Sequence, residues 1–175
     1  MKSLIAYLLI IFSLPVFGFR IYESAIFKQQ VTGYLKHAAD ANTIELANEE
    51  LTKALVYLEQ HNLTSGHTSI LWETPDDDIG FWYRNLKASQ TELQTLQSSS
   101  ALERTNVLLK LRETIMDGGE KSKVTVPKGI SVHPDNPLWA ALMLAATLAL
   151  SFGSIMLIPK EGVMEGEGKG EGIGK

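Results

Sequence analysis

The chain has no cysteine. Disulfides, thiol nucleophiles and cysteine metal sites are therefore excluded, while the compartment stays open. It also lacks any gathering of positive charge. Its 16 basic residues stand against 20 acidic ones, most of both between residues 20 and 137. A duplex-binding surface needs a basic stripe, so nucleic acid is not an expected partner. Proline is missing from Ile21 to Asn62 and glycine occurs there once, at Gly33. Nothing in that stretch obliges a helix to stop.

Motifs that carry chemistry are missing too. His61 and His67 pair with no other ligand at helical spacing, and Asp76-Asp77-Asp78-Ile79-Gly80 lacks the calcium-loop pattern. Ser65 and His67 lie in a short connection without the rigid scaffold that a nucleophilic triad needs. The sequence therefore predicts no catalytic residues, no metal, no cofactor and no enzyme activity.

What the chain does have is two uncharged apolar runs, Leu4–Phe19 and Leu138–Ile158. At about 1.5 Å per residue the second reaches roughly 31 Å, the thickness of a bilayer core. Asn136 suits a cap, Pro137 the first helical position and Trp139 the lipid interface, and Pro159-Lys160 ends the run. The first run reaches only roughly 24 Å as helix. It reads as an anchor lengthened by its neighbours. The alternative is a cleavable signal peptide, with Lys2 as the basic start and Val16-Phe17-Gly18 as the cleavage pattern. Neither run contains an ionisable residue, which argues against a proton relay or coupled transporter. Short flanks favour both ends on the cytoplasmic side and the middle outside it, in the manner of a bacterial inner-membrane protein with a periplasmic domain.

Between the runs the pattern is helical. Phe27, Val31, Tyr34, Ala38, Ala41, Ile44, Ala47, Leu51, Ala54 or Leu55, and Leu58 recur at gaps of three and four. A second stripe runs Ile79, Trp82, Leu86, Leu93, Leu96, then Val107 or Leu108, Leu111 and Ile115, introduced by Thr74-Pro75 as cap and first residue. Gln97–Ser100 is a weak point in it. The expected fold is an all-α membrane protein in which two transmembrane helices flank a long antiparallel helical hairpin. Residues 1–19 form the first span, 20–117 the hairpin with its tip at 61–83, and 118–136 a juxtamembrane segment. A small β-hairpin is expected in that segment around Pro127-Lys128-Gly129. Residues 137–159 form the second span, and the glycine-rich tail, 160–175, is expected to be disordered. One seam between two arms buries little apolar surface against the entropy of ordering both. The hairpin is thus expected to pack on a second copy or on another protein.

Two groups of residues stand out. Ala141, Ala145, Ala149 and Gly153 repeat every fourth position, a small-residue ridge on which a helix packs closely in lipid. Trp72, Phe81, Trp82 and Tyr83 concentrate aromatics at the tip, either as a satellite core or as a partner-binding knob. Thr147, Ser151 and Ser154 make a polar stripe on the second span.

Three functions compete. The first is a non-enzymatic scaffold or accessory subunit assembling with itself or with other membrane subunits, with lipid around its spans. The second is a ligand sensor. The arrangement resembles the input half of bacterial transmembrane sensors, but no kinase, HAMP or methyl-accepting segment follows Ile158, so signalling would run through a partner. The third is a small channel-forming oligomer.

Overall fold

A computed structural model describes residues 1–96, 100–118, 123–130 and 133–158. The protein is mostly helical: α1 (Lys2–Phe27), α2 (Gly33–Asp40), α3 (Ile44–Gln60), α4 (Ile79–Thr95), α5 (Ala101–Ile115) and α6 (Pro137–Leu157). Two short strands, β1 (Met116–Asp117) and β2 (Lys123–Val124), pair antiparallel with Met116 opposite Val124.

Helices α1 and α2 are joined by one π-helical turn, Lys28–Thr32, into a single rod from Lys2 to Asp40. The turn has a cause in the burial pattern. Along α1 the covered face follows Ala6, Leu9, Ser13, Val16, Arg20, Glu23 and Phe27 at alternating gaps of three and four, flanked by the half-buried Ile10, Phe17 and Ile26. Beyond Phe27 it follows Val31, Leu35, Ala38. Three consecutive gaps of four, from Glu23 to Leu35, shift the covered face, and a wider turn absorbs the shift. Pro15 lies inside α1, and the helix continues past it, and past Phe19, without a break.

The long two-armed hairpin is corrected. The first arm is broken at Ala41–Thr43, where Ala41 turns extended and Thr43 caps α3 by accepting from the Leu46 N–H at 3.2 Å. The second arm is divided between α4 and α5; the weak point at residues 97–99 lies outside the described residues. Each arm folds back on itself. Contacts join α2 to α3, α3 to α4, α4 to α5 and α5 to α2, so the middle is an up-down-up-down four-helix bundle. The extra apolar partners come from within the chain. Val31, Leu35, Leu51, Leu55, Leu58, Ile79 and Leu86 are fully buried in its core, with Ile115 at the base of α5.

The ends of the bundle are inverted as a result. The 61–78 connection, expected as a distal tip, lies beside the start of α6. The His67 N–H donates to Asp135 Oδ1 at 3.0 Å, and the Asp135 N–H donates to the His67 carbonyl. A left-handed Asn62 makes the reversal after α3, with the Leu63 N–H bonded to the Leu58 carbonyl at 2.8 Å and both leucines buried. Helix α4 also starts later than expected. Pro75–Asp77 is a separate 3-10 turn, and Asp78 caps α4 by accepting from the Phe81 N–H at 2.8 Å.

The small sheet differs in partner. Val124 pairs backward, antiparallel to Met116, with Lys123 opposite Asp117. Pro127–Ile130 is a turn with Gly129 at φ +79° and the Ile130 N–H reaching the Pro127 carbonyl. Ser131, Val132 and the tail from Pro159 onward lie outside the described residues. Asn136 and Pro137 open α6, with Asn136 accepting from the Trp139 N–H at 3.0 Å.

Candidate functional site

Helices α1 and α6 lie antiparallel against each other along the apolar part of α1. Three contacts fix the register. Phe19 and Trp139 meet edge to face at 5.3 Å between ring centres. Ser13 Oγ donates to the Ala146 carbonyl at 2.9 Å. A methyl built on Gly153 would stand 3.0 Å from the Ala6 carbonyl oxygen and from Ile10. Close approach of this kind is what glycine permits between helices.

The covered positions of α6 include Trp139, Leu142, Ala146, Ala149 and Gly153, alternating three and four, flanked by the half-buried Met143 and Leu150. Of the four ridge residues read from the sequence, Ala149 and Gly153 are buried against α1, while Ala141 and Ala145 are exposed. A strict four-residue step drifts around a helix by about 40° per step, because a turn takes 3.6 residues. The contact follows the alternating step instead. Ser13 and Ala146, missed by the four-residue pattern, sit at its centre. The heptad-like spacing of small or polar residues across both spans was the signal that would have found them.

The polar stripe of α6 turns inward on its own helix. Thr147 Oγ1 donates to the Met143 carbonyl and Ser151 Oγ to the Thr147 carbonyl, while Ser154 is exposed.

The four aromatics do not form one cluster. Trp72 and Phe81 are exposed. Trp82 is half-buried, and its indole N–H donates to the Thr125 carbonyl at 2.9 Å, tying α4 to the segment after β2. Tyr83 points the other way and donates to Glu59 Oε1 at 2.6 Å. Lys87 reaches the same oxygen at 3.1 Å. The Tyr83 hydroxyl and Lys87 hold the Glu59 carboxyl below its ordinary value. Burial, and then Glu59, push the Tyr83 phenol up to about 12. A comparable knot joins α2 to α3, where Glu50 accepts from Lys53 at 2.6 Å and faces His37 Nδ1 at 3.1 Å. The Lys53 bond is the main cause of a lowered Glu50 pKa.

An open cleft of about 840 Å³ lies at the α6 end of the bundle, between Asp76, Asp77, Phe81 and Trp82 on one wall and Asp117, Thr125 and Lys128 on the other. Thr68 and Thr74 donate to the two oxygens of Asp77, and Asp78 caps α4, so two of the acids are occupied structurally. Among the described residues no three metal-ligating side chains come together.

The class defined by this geometry is a helical protein with two helices long and apolar enough to cross a membrane, carrying a four-helix bundle. Comparison with protein-family models, curated proteins and solved structures finds no match.

Proposed function

We propose that the chain is a non-enzymatic membrane scaffold or accessory subunit, with α1 and α6 crossing the bilayer as a pair and the bundle held at one face. The localisation that fits is a bacterial inner membrane, with both chain ends in the cytoplasm and the bundle in the periplasm. One observation carries the reading. The α1–α6 pair covers only a narrow seam and leaves Leu8, Ile11, Leu144, Phe152 and Ile155 exposed on its outside. An apolar surface of that extent needs lipid or another protein around it. Ala141 and Ala145 remain on that outer surface, where a further transmembrane helix can approach closely.

Cross-linking in native membranes followed by mass spectrometry tests the assembly. Cross-linked self-pairs or a stoichiometric membrane partner support it. Monomer alone, in membranes and in mild detergent, overturns it. The membrane-proximal cleft favours the sensor as a second reading, and melting of the full chain that shifts with an added small ligand would support it. The Thr147 and Ser151 hydroxyls already bond within α6, which leaves the channel reading without a supporting observation.

A further inference from the structure

We infer that the Ile70-Leu71-Trp72 loop dips into the headgroup region of the same bilayer that α1 and α6 cross, as a third, monotopic anchor; the inference rests on the membrane reading above. Three observations converge on it. First, the loop is apolar and open: Leu71 is 95% and Trp72 80% exposed, and Ile70 is also exposed. Second, it hangs at the level where α6 begins. The paired bonds between His67 and Asp135 fix the loop's base two residues before Pro137. Gly66, at φ +89°, lies so close to Asp135 that a methyl built on it would stand 2.2 Å from Oδ2. Third, the Phe19–Trp139 pair marks an interfacial level one turn into α6, and indole rings favour that depth. The loop's apolar surface therefore continues the lipid-facing surface of the helix pair.

Local bonds at the loop give it a defined shape. The Trp72 N–H donates to Ser69 Oγ at 3.3 Å, and the Thr68 N–H to the Asp77 carbonyl at 3.1 Å. Charge does not drive the insertion. Glu73, Asp76, Asp77 and Asp78 surround the loop's exit, so anionic lipid would repel it and a zwitterionic surface suits it better. The energetic source is the apolar side chains alone, in the manner of an interfacial anchor.

Because the chain has no cysteine, single-cysteine variants need no background removal. The full-length protein is reconstituted in phosphatidylcholine vesicles carrying a polarity-sensitive fluorophore at Leu71→Cys, at Leu148→Cys on the outer face of α6, or at Asn42→Cys at the far end of the bundle. Lipids spin-labelled at shallow or deep positions act as quenchers. The expected result is a blue shift at position 71 with stronger shallow than deep quenching, deep quenching at 148, and neither effect at 42. Quenching at 148 with none at 71 overturns the loop anchor and leaves the membrane reading standing. No quenching at 148 overturns the membrane reading itself.

Discussion

The hydroxyl oxygen of Ser13 stands 2.9 Å from the carbonyl oxygen of Ala146, across the seam between the two apolar helices. The same hydroxyl is 2.8 Å from the Leu9 carbonyl, so one hydrogen is shared between its own helix and the neighbour. Ser13 is completely buried. A small polar side chain at this depth lets the backbones approach and gives the pair a directional contact that dispersion alone lacks. Hydrogen bonds between helices in lipid are worth about 0.6–2 kcal/mol. Ser13→Ala should therefore weaken the pair by about 1 kcal/mol, and Ser13→Leu by more, because the larger side chain has no room. Reversible unfolding in mixed micelles reads both. Equal stability of all three proteins would show that the contact contributes nothing.

Gly153 and Ala145 separate two roles that one ridge was expected to share. Even a methyl on Gly153 would stand 3.0 Å from the Ala6 carbonyl oxygen, tighter than ordinary contact, while Ala145 is exposed. Gly153→Leu should force α1 and α6 apart, at an overpacking cost of about 1–3 kcal/mol. Ala145→Leu should leave the pair intact and act only on contacts with a further helix. Spin-label distances between α1 and α6 report the first effect, and cross-linking between chains reports the second. A distance that widens in Ala145→Leu, or stays fixed in Gly153→Leu, would refute this division.

The apolar stripes and the two long apolar helices were legible in the sequence, and the topology of the bundle was not. Most of the two stripes supplies the core, although Tyr34, Ala41, Trp82, Leu96 and Leu108 are only partly buried and the fully buried Leu35 lay outside the expected stripe. A stripe of that kind fits a straight arm and a folded-back pair equally well, since both present one face. What decides between them is the short break at Ala41–Thr43. Its signal was a capping threonine two residues before Glu45, with neither proline nor glycine to announce it. The cost of leaving two long arms with one seam was visible from the sequence. Its resolution within one chain was not, because long-range pairing between α2 and α5 leaves no local mark. The aromatics of 72–83 were likewise conspicuous, but their separate destinations at Thr125, Glu59 and the exposed loop depend on that topology.

The Glu59–Tyr83–Lys87 knot makes the α3–α4 contact depend on pH at both extremes. Glu59 titrates below its ordinary 4.5 in the folded protein, so its contribution is complete above that value and disappears as pH falls through the folded pKa. Tyr83 titrates above its ordinary 10.0, so its contribution is complete below that value and disappears as pH rises toward about 12. Comparing melting of the wild type with Glu59→Gln should show a deficit on a plateau between roughly pH 6 and 9, shrinking on either side. The groups are partly exposed, and screening keeps the effect small. A deficit independent of pH would mean that Glu59 acts through packing alone.

Gly66 and Asp135 hold the 61–78 connection to the start of α6, and they should behave as one unit. Gly66→Ala places a methyl in the left-handed region, at about 1–2 kcal/mol, and drives it into the Asp135 carboxylate. The carboxylate must then turn away and release the His67 N–H. Asp135 itself has φ 50°, so Asp135→Gly removes the carboxylate while keeping a backbone that glycine adopts freely. In the Asp135→Gly background, Gly66→Ala loses the clash and retains only the conformational cost. The two substitutions should consequently be less than additive, with a coupling of about 0.5–3 kcal/mol in a double-mutant cycle. Hydrogen exchange adds a local readout. Protection at His67 should fall in either single variant while the core amides around Leu51 and Leu55 keep theirs. Strict additivity would mean that the contact does not exist in solution, and the loop would then lose the attachment that sets its height at the membrane.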